Sequence, residues 1–179
     1  MIAIDRLPER LAMAERRTGA QTLNYEQVDV LEALREATGG RGPDACIEAV
    51  GMEAHSTGLQ YAYDRSKQAL RMQTERGITL RQAILACRKG GTVSIIGVFG
   101  GYLDKVPIGA AMNKALVFRM GQQHGQRYIP MLLDRIARGD LDPSYFATHP
   151  MPLDDGPRGY EMFKHKQDGC VRAVFHPAR

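Results

Sequence analysis

Apolar residues in the first part of the chain form short runs, each followed by a stretch with helical spacing. Ile2 to Ile4 make a brief apolar run that ends at Asp5, which is typical of a buried parallel strand. Pro8 suits the first turn of a helix because its missing N–H would have no partner there. Gly19 ends this helical stretch. The pattern therefore predicts a strand followed by a helix at the start of the chain.

Later strands and helices extend the same alternation. Further strands are predicted from extended or β-branched runs at Gln21 to Tyr25, Ala45 to Val50 and Thr92 to Ile96. Helices are predicted from apolar residues at helical spacing, namely Val28, Leu31 and Leu34 before Gly39, and Leu80, Ile84 and Cys87 before Lys89-Gly90-Gly91. A basic residue followed by glycine favours a helix end there. Strands that alternate with helices of about ten residues predict an α/β fold with a doubly wound parallel sheet.

The last third of the chain has a different pattern. It predicts one amphipathic helix ended by Gly139, with an apolar face formed by Ile129, Leu132, Leu133, Ile136 and Ala137. A second helix is expected from a cap at Asp154 and Asp155 to about Lys166, presenting Tyr160 and Phe163. Cys170 to Phe175 then predicts a final strand.

Composition and charge narrow the class of protein. Hydrophobic residues make up 44% and charged residues 25% of the 179 positions, a balance typical of globular proteins. The net charge of +4 comes from 24 basic and 20 acidic residues spread along the chain, so no nucleic-acid partner is expected. No apolar run is long enough to cross a membrane, and no secretory signal opens the chain. Three widely spaced cysteines favour reduced thiols with a core role and a cytoplasmic protein.

Asp5, Gly51 and Gly97 are the first candidates for a binding site, because each lies at the carboxyl end of a predicted strand. That edge is where open parallel sheets bind ligands. A carboxylate there can accept protons from both ribose hydroxyls of an adenosine, although Asp is also a common helix-start residue. Glycine lets a cofactor approach the backbone, but it equally suits a tight turn after a strand.

Motifs for metal binding or direct catalysis are missing from the sequence. The five histidines show no metal-ligand spacing, and no Gly-x-Gly-x-x-Gly motif occurs. Tyr63 and Lys67 match the Tyr-x-x-x-Lys pair of short-chain dehydrogenases. The serine expected about a dozen residues earlier is replaced by Gly51 and Met52, so we reject that assignment. We therefore predict no catalytic residue and no metal ligand in this chain.

A series of sequence blocks resembles the C-terminal half of zinc-dependent medium-chain alcohol dehydrogenases, particularly the formaldehyde dehydrogenase-like branch. The blocks are Ile2-Ala3-Ile4-Asp5, Glu9-Arg10-Leu11, Asp44 to Gly51, Cys87 to Ser94, Gly121 to His124, Leu141 to Ser144, Thr148-His149 and Asp168 to Arg172. The resemblance covers essentially the whole chain in order. It implies a Rossmann-type NAD-binding domain over residues 1–125, an insertion at 52–77 and a C-terminal segment of the catalytic domain over 126–179.

The resemblance also implies roles for particular positions. Asp5 would hold the adenosine ribose, which favours NAD over NADP, and Arg10 would lie beside it. The cofactor cleft would be lined by Val50, Gly51, Ile96, Gly97 and Val98. Backbone groups from Gly121 to Gln123 would meet the nicotinamide carboxamide, and Arg172 would lie near the pyrophosphate.

Parts that such enzymes need are not in the sequence. The resembled enzymes carry zinc ligands in a preceding catalytic domain, where the metal polarises the alcohol oxygen. The first Rossmann strand and its glycine-rich turn are also missing, so the chain starts at strand 2. In the order 3-2-1-4-5-6, strand 1 lies between strands 2 and 4. We therefore expect a sheet that is re-paired or split at that gap, and a chain that is inactive alone.

The resemblance implies that this chain is the cofactor-binding portion of an NAD-dependent oxidoreductase, and that the complete enzyme acts on a small alcohol or aldehyde. One alternative is a non-catalytic nucleotide-binding or interaction module from a truncated gene. Another is a methyltransferase, because an acidic residue after strand 2 also suits the ribose of S-adenosylmethionine; the sequence after Ile95 disfavours it. The resembled enzymes pair their Rossmann domains edge to edge, so the resemblance implies a homo-oligomer in which residues 97–108 would supply that edge.

Overall fold

The computed structural model describes residues 1–53, 66 and 76–177. Its strands are β1 (Ile2–Asp5), β2 (Gln21–Asn24), β3 (Ala45–Glu48), β4 (Thr92–Ile95), β5 (Val117–Met120), β6 (His149–Pro152) and β7 (Ala173–His176). Its helices are α1 (Pro8–Thr18), α2 (Val30–Ala37), α3 (Ile78–Ala86), α4 (Ile108–Asn113), α5 (Gly125–Ala137) and α6 (Gly156–His165), with short 3-10 turns at Gly51–Glu53, Ser144–Phe146 and Leu153–Asp155. Within these residues no helix is long and apolar enough to span a membrane.

The strands form three separate sheets. β1 pairs with β2, β3 with β4 and then β5, and β6 with β7. The three-stranded sheet is parallel, with Ala45 opposite Thr92 and Thr92 opposite Val117. The predicted α/β fold with parallel pairing is therefore confirmed. Among the described strands, β1 pairs with β2 alone and β3 with β4 alone, so the two strands expected to flank the missing one lie in separate sheets.

The chain divides into two compact units, one of residues 1–22 and 124–179 and the other of residues 23–123. The core of the second unit lies where α3 packs on β3 and β4. Val93 and Ile95 alternate with less buried residues along β4, as expected for a strand with one face toward a helix. Ile84, Cys87 and Val93 have no exposed surface, which makes this the best-packed part of the molecule.

The end of α3 is stabilised differently from the sequence prediction. The helix stops at Ala86 and has no basic residue in its last turn. The Nζ of Lys114, which follows α4, donates to the carbonyl oxygens of Ile84, Leu85 and Cys87 at 3.2, 2.5 and 2.9 Å. A cation at these carbonyls complements the negative end of the helix. The prediction that Lys89 supplies this charge was wrong, because a residue distant in sequence reaches the helix end.

In the first unit, α6 packs against the β6–β7 pair. Met151, Met162 and Cys170 form its buried cluster, and Gly159 lies so close to Phe175 that a Cβ there would be 2.6 Å from the ring. The residues that α6 was expected to present, Tyr160 and Phe163, are 74% and 51% exposed. The helix therefore uses its small and flexible residues for packing and leaves its aromatic residues largely in solvent.

The amphipathic helix α5 forms and ends before Gly139, as the sequence predicts. Its apolar residues Ile129, Leu132, Leu133 and Ile136 are each more than a third exposed. No residue of this helix is buried. The apolar face that the pattern assigns to a core therefore faces solvent in this structure.

Candidate functional site

The loops that leave β3 and β4 lie side by side at the carboxyl end of the sheet. The main-chain N–H groups of Ile96 and Gly97 both donate to the carbonyl oxygen of Glu48, at 2.9 and 3.0 Å. The N–H of Met52 donates to the carbonyl oxygen of Val98 at 3.0 Å. These bonds continue the β3–β4 pairing beyond the strands. We call the segments 48–52 and 96–98 together the loop crossing.

Two glycines allow the backbones to approach this closely. Gly51 has φ +68°, in the region that favours glycine, and a Cβ on it would overlap the carbonyl oxygen of Val98. A Cβ on Gly97 would overlap the amide nitrogen of Gly51 and lie 2.8 Å from its Cα. Each glycine therefore occupies the space that a side chain on the other would need. Gly91, at the opposite end of β4, is similarly crowded by Cys87 Sγ and the carbonyl oxygen of Asp44.

Three exposed apolar side chains project from the loop crossing. Val50, Ile96 and Val98 are 47%, 62% and 55% exposed. The structure thus brings together the five residues expected to line a cofactor cleft, Val50, Gly51, Ile96, Gly97 and Val98. Gly51 is buried and Gly97 is half-buried, so the exposed apolar side chains are what could contact a flat, partly apolar ligand.

Asp5 lies at the end of β1, as the sequence predicts, and its two oxygens have different surroundings. Oδ1 accepts from the main-chain N–H groups of Arg6 and Leu7, at 2.6 and 3.1 Å. Oδ2 lies 4.0 Å from Nη1 of Arg10, and both side chains are about one-third exposed. Asp5 therefore closes the turn before α1 with one oxygen, while the other lies beside Arg10. The N-cap of α1 is Leu7, which has no side-chain hydrogen bond, so the alternative of Asp5 as a helix-start residue is wrong.

The remaining predicted site residues are exposed. Gly121 and Gln123 follow β5 and belong to the same unit as the loop crossing. Arg172 belongs to the other unit, where its main-chain carbonyl oxygen accepts from the N–H of His149 at 3.2 Å. The backbone of Arg172 therefore takes part in the β6–β7 pairing, while its side chain is left exposed.

Metal and nucleophile chemistry finds little support in the described residues. Across 1–53, 66 and 76–177, no group of three His, Cys, Asp or Glu side chains is placed to hold a metal ion. Tyr63 and Lys67 lie outside the described residues. Burial and the neighbouring Cys87 thiol raise the pKa of the Cys46 thiol to about 12, so this thiol stays protonated at neutral pH. The core role predicted for these cysteines agrees with that environment.

Glu48 is the functional candidate that the sequence reasoning missed. It is the last residue of β3 and only 2% exposed, although the sequence pattern treats it as one more strand residue. A glutamate is rarely this buried without partners. No signal in the sequence singled it out, because the predicted strand runs from Ala45 to Val50 and Glu48 lies inside it.

Comparisons with known proteins agree with this architecture. Residues 1–70 match the zinc-binding dehydrogenase family. The chain is 32% identical over 99% of its length to an uncharacterized zinc-type alcohol dehydrogenase-like protein, AdhB, of Bacillus subtilis strain 168, of which it covers 46%. It is also 32% identical to the solved alcohol dehydrogenase TADH from Thermus sp. ATN1, with a TM-score of 0.76, covering 99% of this chain and 44% of that one.

A third comparison concerns the fold alone. A short chain alcohol dehydrogenase from Escherichia coli CFT073, solved in complex with NADH, has a TM-score of 0.74 and 18% identity, over 97% of this chain and 43% of that one. The chain thus spans less than half the length of the relatives it matches. Over nearly all of its own length, it is similar to one part of zinc-type alcohol dehydrogenases, the part that carries a Rossmann-like parallel sheet.

Proposed function

We propose that this chain is the cofactor-binding portion of an NAD-dependent oxidoreductase of the zinc-type alcohol dehydrogenase class. The loop crossing is the observation that carries the proposal. It lies at the carboxyl end of a parallel sheet, the edge at which open α/β sheets bind ligands. Its glycines let the two loops approach closely at that edge, and exposed apolar side chains flank them.

The exposed apolar side chains of the loop crossing fit part of a dinucleotide. When bound, NAD supplies the acceptor for the hydride that leaves the alcohol carbon. In this proposal Val50, Ile96 and Val98 provide apolar contact, and Gly51 and Gly97 complete the lining by holding the two loops close together. Backbone groups at Gly121 to Gln123 bind the nicotinamide carboxamide, and Arg172 lies near the pyrophosphate.

Asp5 is proposed to bind the adenosine ribose and to select NAD over NADP. The carboxylate would accept from ribose hydroxyls through Oδ2, which is not used in the turn before α1. A 2′-phosphate would meet a negative charge at this position. Arg10, 4.0 Å away, offers the opposite charge, so its presence limits this repulsion and the preference is expected to be moderate.

Zinc is not assigned to any described residue, because none of them forms a suitable group of ligands. We propose that the metal and the rest of the alcohol site belong to a part of the enzyme outside this chain. On this basis the chain alone binds cofactor and does not oxidise alcohols. Small primary alcohols or aldehydes are the proposed substrates of the complete enzyme.

The assignment to one branch of the family rests on the sequence blocks, and the cellular location rests on the cysteines. The runs Asp44 to Gly51 and Cys87 to Ser94, with the stretch 52–77 between them, support the formaldehyde dehydrogenase-like branch. The three cysteines are free thiols, which supports a cytoplasmic location. We further propose that the complete enzyme forms a homo-oligomer and that residues 97–108 contribute to its interface.

Fluorescence titration with NADH tests the proposed function. We expect saturable binding by the wild-type chain, weaker binding of NADPH and at least a several-fold loss of NADH affinity in Asp5→Ala, because a charged hydrogen bond to ribose contributes about 1.5–3 kcal/mol. Glu9→Ala is the matched control, since it removes an exposed carboxylate from the first turn of α1. Unchanged affinity in Asp5→Ala would contradict the ribose assignment.

The Asp5–Arg10 pair also supports a second candidate, a nucleotide-binding module without catalysis. This module would bind AMP as well as it binds NADH, because only the adenosine half would be recognised. The cofactor-binding portion of a dehydrogenase should bind NADH more tightly than AMP. A titration with both ligands therefore separates the two candidates.

A further inference from the structure

Glu48 has an uncommon arrangement of hydrogen bonds at the loop crossing. Three donors converge on Oε1, namely the N–H groups of Val50 and Gly51 at 3.0 and 2.8 Å and the Oγ1 of Thr79 at 2.7 Å. The other oxygen, Oε2, is buried and has no hydrogen-bond partner in the described part of the chain. A buried oxygen without a partner costs free energy, so a residue kept in this state needs a reason.

The position of Oε2 indicates that reason. A Cβ on Gly97 would overlap Oε2, so this oxygen lies directly against the Gly97 backbone. The main-chain carbonyl oxygen of Glu48 accepts from the N–H groups of Ile96 and Gly97. One residue therefore contacts both loops: its carboxylate holds the β3 loop, and its backbone holds the β4 loop.

We propose that Glu48 is a positioning residue for the cofactor site, fixing the Val50–Gly51 turn against Gly97 and thereby orienting the exposed apolar side chains that meet the dinucleotide. The ligand part of this inference rests on the proposed function. The structural part, that Glu48 holds the two loops together, does not depend on any ligand.

A carboxylate suits this position better than the amide of glutamine. The three donors around Oε1 need an acceptor, and a glutamine oxygen can still serve them. Its NH₂ group would then bring two donors to the buried place of Oε2, where the carboxylate oxygen has no hydrogen-bond partner and lies against the Gly97 backbone. Glu48→Gln is therefore expected to displace the turn although it preserves the size of the side chain.

The first test compares ligand affinities in Glu48→Gln and in a matched control. The control is Asp44→Asn, the same change of carboxylate to amide just before the opposite end of β3, where Asp44 is exposed. We expect Glu48→Gln to bind NADH about tenfold more weakly, since misaligned contacts cost about one hydrogen bond, and to bind AMP within about twofold of wild type. Asp44→Asn should match wild type for both ligands.

The second test uses Thr79, which contributes only one of the three donors, so that folding is perturbed less. Thr79→Val removes the hydroxyl donor to Oε1, and Thr79→Ser retains it. We expect Thr79→Val to weaken NADH binding by about twofold to fivefold and Thr79→Ser to bind as wild type does. Rescue by serine distinguishes the hydrogen bond from a general effect of altering residue 79.

Amide hydrogen exchange provides a measurement that needs no ligand. Exchange at Val50, Gly51 and Met52 should accelerate in Glu48→Gln and in Thr79→Val, and it should be unchanged in Thr79→Ser and Asp44→Asn. Unchanged exchange at these amides in folded Glu48→Gln would overturn the positioning role. Equal losses of NADH and AMP affinity, or no loss of either, would also overturn it.

The same measurements distinguish an error in the proposed function from an error in the role of Glu48. If the wild-type chain binds neither nucleotide, the assignment of a cofactor site is wrong, and the claim that Glu48 orients a ligand falls with it. The exchange data would still report whether Glu48 holds the loops. If the wild type binds NADH and the Glu48 variants behave as the control does, the proposed function stands and the inference about Glu48 is wrong.

Discussion

Close backbone contact at the loop crossing predicts a graded series of glycine-to-alanine effects on stability. In Gly97→Ala the new methyl group overlaps Glu48 Oε2 and the backbone of Gly51, and neither can move easily because both residues are hydrogen-bonded. Overpacking of this kind costs about 1–3 kcal/mol. Gly51→Ala adds the strain of φ +68° to a comparable overlap with Val98, so its cost should exceed that of Gly97→Ala by about 1 kcal/mol.

Two other glycines of the same unit separate the cost of backbone strain from the cost of steric overlap. Gly39 has φ +59°, but no atom lies within 4 Å of the point that a Cβ would occupy, so Gly39→Ala should cost about 1 kcal/mol from backbone strain alone. Gly109, in α4, has open space and no unusual φ, so Gly109→Ala should stabilise the chain by about 0.5–1 kcal/mol.

Urea denaturation followed by circular dichroism measures the free energy of unfolding for each variant. The expected order of stability is Gly109→Ala, wild type, Gly39→Ala, Gly97→Ala and then Gly51→Ala. A Gly97→Ala variant as stable as Gly109→Ala would refute the close approach on which the site description depends. A Gly51→Ala variant no worse than Gly39→Ala would show that strain alone limits that position.

Other predictions concern contacts elsewhere in the two units. Lys114→Met should lower the free energy of unfolding by about 1–3 kcal/mol because the carbonyl end of α3 loses its cation. Lys89→Met is the exposed control, and its free energy of unfolding should stay within about 0.5 kcal/mol of wild type in the same denaturation assay. Gly159→Ala should destabilise the α6 packing by about 1–3 kcal/mol through overlap with Phe175, and thermal unfolding no different from that of Gly156→Ala would contradict this contact. The hydrogen bond from Arg88 holds the pKa of the Asp44 carboxyl below its ordinary value of 3.8. The stabilising effect of this pair is therefore present above that pH and is lost as the pH falls through the lower pKa of the folded state. The difference in stability between wild type and Asp44→Asn should close in acid, and a difference independent of pH would count against the pairing.

The strands and helices that the sequence predicts best are those whose apolar residues follow a simple periodicity. β4 was predicted because β-branched residues alternate with the core, and α5 because its apolar residues repeat at helical spacing. β6 was missed because Pro150 and Pro152 argue against a strand. They are tolerated because β6 lies in a two-stranded sheet and leaves one side unpaired.

Short elements and long-range contacts lay beyond the sequence reasoning. α4 has only six residues, and β5 lies at the edge of its sheet with three of its four residues exposed, so neither shows a clear pattern. The cap at the end of α3 depends on Lys114, about thirty residues away in sequence. Glu48 was missed for the same reason, because its partner Thr79 and its contact with Gly97 are created only by folding.

The positions of the residues in the proposed site were partly predictable. The rule that ligands bind at the carboxyl ends of parallel strands selected Asp5, Gly51 and Gly97, and the structure places each of them at such an end. The rule does not say how the loops after neighbouring strands contact each other. That contact depends on the backbone of two glycines and on one buried carboxylate, which no periodicity reveals.

Mapping the NADH site by nuclear magnetic resonance tests the central claim most directly. An amide chemical-shift titration of the labelled chain reports binding and its location together, residue by residue. We predict saturable shifts at Gly51, Gly97 and Val98, at the carboxyl end of the three-stranded sheet, and none at Gly91, at its opposite end. Saturable shifts centred on Gly91, or no shifts anywhere at millimolar NADH, would contradict the account.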